Sequence, residues 1–263
     1  MPQQYPGSPI LGLRGQEALI RALIWAFIGV LYGMLFVFLA ELADEWKLPV
    51  NPIFFSGVLS AAVAALIYSS MRLAVLLAIL ISPVCLMFYV FTAHISHPND
   101  LLVPLLPAGA VIGGLYGQLS KASRVHRADA KTLAGLSAGF LVALLYLTLS
   151  HLLKDLPIGF VVGIMCPLTG FLYVLFVPTF IRFHDDLLPA SLDGAMVGAG
   201  VAVFLAYVFF VMTNSIDNGP LGSATPLIAN LDELLPQAVL GGALGAGVIG
   251  LLSGLLLTNW QDL

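Results

Sequence analysis

Eight apolar runs, each close to the roughly 20 residues that carry an α-helix across a hydrocarbon core, dominate this chain: about 22–40, 53–69, 73–93, 101–119, 132–153, 157–181, 192–213 and 238–257. No Asp, Glu, Lys, Arg or His stands near the centre of any of them. At that depth the backbone has no water to bond with, so its N–H and C=O groups must be satisfied within the segment, which calls for helices. Charged residues make up 9% of the chain and hydrophobic ones 60%, whereas soluble domains carry about 25% charged residues. The expected fold is all-α, a polytopic membrane protein with eight transmembrane helices.

The runs also resemble one another. Leu105-Leu106-Pro107 followed by Gly113-Gly114 is echoed, with one residue removed, by Leu234-Leu235-Pro236 followed by Gly241-Gly242. Upstream, Lys47-Leu48-Pro49-Val50 is matched by Lys154-Asp155-Leu156-Pro157-Ile158. Read as a duplication, the chain divides into a leader (1–21), a first four-helix repeat (22–119), a basic linker (120–131), a second four-helix repeat (132–257) and a tail (258–263). An even number of helices per unit predicts a parallel 4+4 repeat, its halves related by a pseudo-two-fold along the membrane normal.

The cations set an expected orientation. With both termini cytoplasmic, Arg14, Arg21, Arg72, Lys121, Arg124, Arg127, Lys131 and Arg182 lie inside and only Lys47 and Lys154 outside, a strong positive-inside bias. The bacterial inner membrane is the expected location. The linker is then a topology-fixing cytoplasmic segment. The first run is longer than a signal-peptide core and is followed by no small-residue cleavage site, so it reads as a permanent span. A net charge of −4 gives no reason to expect a nucleic-acid partner.

Small residues recur at every fourth position, most persistently as Ala238, Gly242, Ala246, Gly250 and Gly254, and also as Gly194, Gly198, Ala202 and Ala206. In lipid, where apolar surfaces gain nothing by leaving water, such stripes allow helix backbones to approach closely. Gly113, Gly114, Gly241 and Gly242 are therefore expected either in helix packing or along a transport path. Pro83 and Pro167 interrupt the third and sixth spans, and Pro167 precedes Thr169. Each removes a backbone hydrogen bond and frees a carbonyl, and broken spans point to transport sites when they occur in matching repeats. These two prolines are not repeat mates, so ordinary kinks are the plainer reading. Without intramembrane charges, hydroxyls such as Ser60, Ser82, Tyr89, Thr169, Tyr173 and Tyr207 are left to line a path.

Chemistry is scarce. His94, His97 and His151 fall on the outer side and are weak candidates for a metal site, since imidazole suits Zn or Cu; their spacing matches no specific metal motif, and interfacial histidines at helix ends are the simpler expectation. Arg182-Phe183-His184-Asp185-Asp186 reads as a solvated turn. Cys85 and Cys166 sit mid-span and read as small packing residues. No nucleophile, zinc or phosphate-loop motif is present, so the sequence offers no reaction and no cofactor. Two functions follow from these features. The first is a permease or channel-like protein for a small neutral or weakly charged solute, its path between two pseudo-symmetric halves. The second is a non-catalytic scaffold subunit that meets lipid, other membrane subunits or itself through Gly-rich faces.

Overall fold

The computed structural model describes residues 13–91, 98–119, 128–153, 156–183, 190–217 and 231–256. Among them there are eight α-helices: α1 (Leu13–Glu45), α2 (Pro52–Ser69), α3 (Met71–Phe91), α4 (Pro98–Leu119), α5 (Ala128–Leu153), α6 (Ile158–Phe183), α7 (Ala190–Asp217) and α8 (Leu231–Leu256). All eight are long and apolar enough to cross a membrane, and the chain is a multi-pass membrane protein. No strand occurs among the described residues.

Helix α1 exceeds its apolar run at both ends. Residues 13–21, expected as a separate leader, continue the helix through good helix formers such as Arg14, Gln16, Glu17 and Ala18. At the other end the Lys47 N–H bonds the Asp44 carbonyl and the Leu48 N–H bonds the Ala43 carbonyl, while Lys47 takes φ 49°. This is a Schellman-type stop with lysine where glycine usually sits. Asn51 then opens α2: its side chain accepts hydrogen bonds from the N–H groups of Ile53 (2.9 Å) and Phe54 (3.3 Å), with Pro52 in the first turn.

Five helices form a closed ring, in which α1 neighbours α2, α2 neighbours α5, α5 neighbours α6, α6 neighbours α8, and α8 returns to α1. The other three, α3, α4 and α7, form a triad that joins the ring mainly where α7 meets α2. Gly200 of α7 leaves room there for Leu66 and Val63, and Phe38 of α1 stacks on Tyr207 of α7 with centroids 4.6 Å apart. Many large apolar side chains stand exposed on the outer surface, among them Phe27, Ile79, Val103, Phe160 and Leu244. Such a surface suits lipid rather than water.

The tightest contacts are backbone on backbone. Gly29 and Gly33 of α1 meet Gly242 and Ala238 of α8, antiparallel; Gly109 and Gly113 of α4 meet Gly198 and Gly194 of α7, also antiparallel; Gly159 and Gly163 of α6 run beside Gly241 of α8 in parallel. These pairings do not obey the two-fold expected from the duplicated sequence. That operation would exchange α1 with α5, α2 with α6, α3 with α7 and α4 with α8. It holds for the hairpin contacts α1–α2 and α5–α6. The long α1–α8 seam has no α4–α5 equivalent among the described residues, and α4 packs on α7 where α8 packs on α1 and α6. The reason is physical: a Gly-Gly run permits close approach but does not choose the neighbour. Gly113 and Gly241 each satisfy it against a different helix in a different relative direction.

A candidate solute chamber in the five-helix ring

Inside the ring lies a cavity of about 50 Å³. Small residues make up nearly half of its wall: Ala61, Ala64 and Ala65 from α2, Gly135 from α5, Gly170 from α6 and Ala246 from α8. Small side chains serve two ends here. They bring α2 close to α5, where a methyl on Gly135 would press on Ala61 and Ala65, and they leave the ring's interior incompletely filled. The remaining wall carries functional groups: Tyr32 from α1, and Cys166, Thr169 and Tyr173 from α6.

The hydroxyls of Tyr32 (2% exposed) and Thr169 (6%) are both buried. The two hydroxyls interact with each other, and neither has a further protein partner. Each hydroxyl keeps donor or acceptor capacity beyond this contact, directed to the cavity wall they share. Ser60 Oγ, from α2, is buried without a protein partner.

Aromatic side chains bound the chamber toward the start of α1. Trp25 meets Tyr68 edge-on at 5.9 Å, and Tyr68 meets Tyr173 edge-on at 6.3 Å. Gly170 seats the indole, because a methyl there would come within 2.5 Å of Trp25 Cζ3. Beyond this partition a second cavity of about 60 Å³ shares Trp25, Tyr68 and Tyr173 with the first and adds Arg21 and Ser253. Toward the other end of α1, Phe36 and Met165 close around Gly57, and both are almost fully buried. The chamber thus lies between an aromatic partition leading to a cationic vestibule and a solid apolar plug.

The residues singled out from the sequence fall in different places. Thr169 and Tyr173 line the chamber. Gly242 lies in the α1–α8 seam, Gly241 against α6, and Gly113 against α7, with Gly114 beside Ser191 and Ala195. Pro167 packs against Gly245 of α8, whereas Pro83 is exposed on α3 and the neighbouring Ser82 hydroxyl donates to the Ala78 carbonyl at 2.7 Å. Tyr207 is buried between ring and triad, away from the chamber. His94 and His97 lie outside the described residues, as do the side chains of His151 and Tyr89. Among the described residues no three His, Cys, Asp or Glu side chains come together as metal ligands. Cys85 and Cys166 are both buried and free.

Trp25, Tyr32 and Tyr68 are absent from the sequence expectations, and Arg21 enters them only as a topology-setting cation. Their common signal is an aromatic or basic residue on the same end of α1 and α2, which becomes meaningful only once the helix pairing is known. No protein-family model, curated protein or solved structure matches this chain.

Proposed function

We propose that the protein is a facilitative permease for a small neutral or weakly charged solute, with its path through the ring of α1, α2, α5, α6 and α8. The observation that carries this reading is the chamber itself: a cavity within the ring, with the buried hydroxyls of Tyr32 and Thr169 on its wall, adjoining a second cavity. The ring combines α1 and α2 from the first half of the chain with α5, α6 and α8 from the second, so the path still runs between helices of both halves, although not along a two-fold axis. The described lining of the inner chamber carries no carboxylate, ammonium, guanidinium or imidazole group. It therefore lacks the titratable relay that proton coupling uses, and transport down a gradient is the mode that fits.

In this reading the vestibule with Arg21 faces the cytoplasm of a bacterial inner membrane, with both termini inside, on the strength of the cation bias. Labelling of a cysteine placed at position 123 by an impermeant reagent added outside would reverse that assignment. The function is tested by purified protein in liposomes with a panel of small solutes. Selective, saturable release above that of protein-free vesicles is expected; release equal to protein-free vesicles across the panel would overturn the permease.

One observation favours a scaffold role instead. A surface groove of about 540 Å³ runs between α6 and α8, floored by Gly159, Gly163, Gly241 and Gly245 and flanked by Phe160 and Leu244. A glycine floor of this kind accepts a partner helix. Stoichiometric co-purification of another membrane protein in mild detergent, lost on Gly163→Leu, would support this second reading.

A further inference from the structure

We propose that the inner chamber binds one uncharged solute of about three to five non-hydrogen atoms bearing a hydroxyl or amide group, such as urea, a simple amide or a short polyol, held by Tyr32 and Thr169. The assignment deepens the permease reading and rests on it for the solute's passage, while the binding itself stands on the chamber's chemistry.

Size comes first. A water molecule needs about 10–15 Å³ of such space, so a cavity of about 50 Å³ matches about three to five water-sized groups. Larger ligands occupy pockets of roughly 300–1,000 Å³. Charge comes next: an ion here would leave water for a wall of alanine, glycine and aromatic carbon with no counter-charge among the described lining residues, which is prohibitive. Polarity then selects among neutral molecules. Tyr32 Oη and Thr169 Oγ1 can each donate and accept, and both are buried beside each other with no third protein partner. A solute with both donor and acceptor atoms uses the capacity the pair has left beyond its mutual contact, whereas a hydrocarbon uses none of it. Arg21 in the adjoining vestibule adds a kinetic filter, since a fixed positive charge repels approaching cations.

Urea and guanidinium, nearly identical in shape but different in charge, form the decisive pair, with acetamide and acetate as a second. Stopped-flow release from proteoliposomes is expected to show urea and acetamide accelerated over protein-free vesicles and guanidinium and acetate not. The Tyr32→Phe/Thr169→Val double variant removes two hydrogen bonds at constant shape and should slow urea release about tenfold or more. Thr148→Val, which removes a hydroxyl on the exposed face of α5, should not. Equal release of urea and guanidinium, or parental rates in the double variant, would overturn this inference and leave the permease standing. If no member of the panel is carried, the permease reading fails instead. Binding is then decided by thermal melts: acetamide raising the Tm of the parent but not of the double variant sustains the site, and no shift in the parent overturns it.

Discussion

Gly242→Leu is expected to prevent assembly of the folded bundle, giving loss of the monodisperse species and of any cooperative melt. The α1–α8 seam is backbone against backbone: a methyl on Gly242 would strike the carbonyl of Gly29, and one on Gly29 would strike the carbonyl of Gly242. No flexible side chain is available to move aside. Overpacking in adaptable cores costs about 1–3 kcal/mol, and here an entire helix must shift, so the effect should reach or exceed the top of that range. The damage extends along the seam, because Gly250 faces Trp25, where an added methyl would come within 2.7 Å of Trp25 Cβ, and Gly254 faces Ala18. Displacing α8 from α1 therefore also disturbs the aromatic partition. Val248→Leu, at an exposed position on the same helix, should melt like the parent. A Gly242→Leu protein that does the same would mean the seam is not where the helices hold together.

Ala64→Leu should have the opposite signature, abolishing solute release while the fold persists. Ala64 is 5% exposed and lines the inner chamber, so the added carbons enter existing space instead of displacing backbone. Filling such space restores dispersion contacts that the wall otherwise lacks, and the melting temperature should hold or rise. Release should fall at least tenfold, because a branched four-carbon side chain takes most of the room available to a small solute. Release and melting measured on one preparation separate the outcomes. Unchanged release from a stable variant would put the path outside the ring.

The spans were legible because their signal is local: length, apolarity and the absence of central charge constrain each segment independently of its neighbours. The α1 boundary was less so, since Arg14, Gln16 and Glu17 are too polar for a span yet good helix formers, and they extend the helix beyond the apolar run. Thr169 and Tyr173 were named as path hydroxyls on polarity alone, and they share the chamber wall with Tyr32. Tyr32, Trp25 and Tyr68 were not, because an aromatic in an apolar helix carries no mark of which helix it faces. The same limit governs the glycines. Gly113-Gly114 and Gly241-Gly242 announce close approach, but one run meets α7 and the other is divided between α6 and α1. A repeated motif therefore specifies a kind of contact, and the partner is fixed by the packing of the whole bundle.

Cys166 provides the most direct test of whether the ring carries the solute, since its thiol lies on the chamber wall and the protein's other cysteine, Cys85, is buried elsewhere. The measurement is urea release from proteoliposomes of the Cys85→Ala protein before and after stoichiometric modification of Cys166 with a small methanethiosulfonate, confirmed by intact mass. The Cys85→Ala/Cys166→Ala protein, treated identically, reports any effect of the reagent that does not pass through this thiol. A path through the ring predicts that modification stops release and that urea, present in excess, slows the modification. Full modification of Cys166 with release unchanged would contradict it.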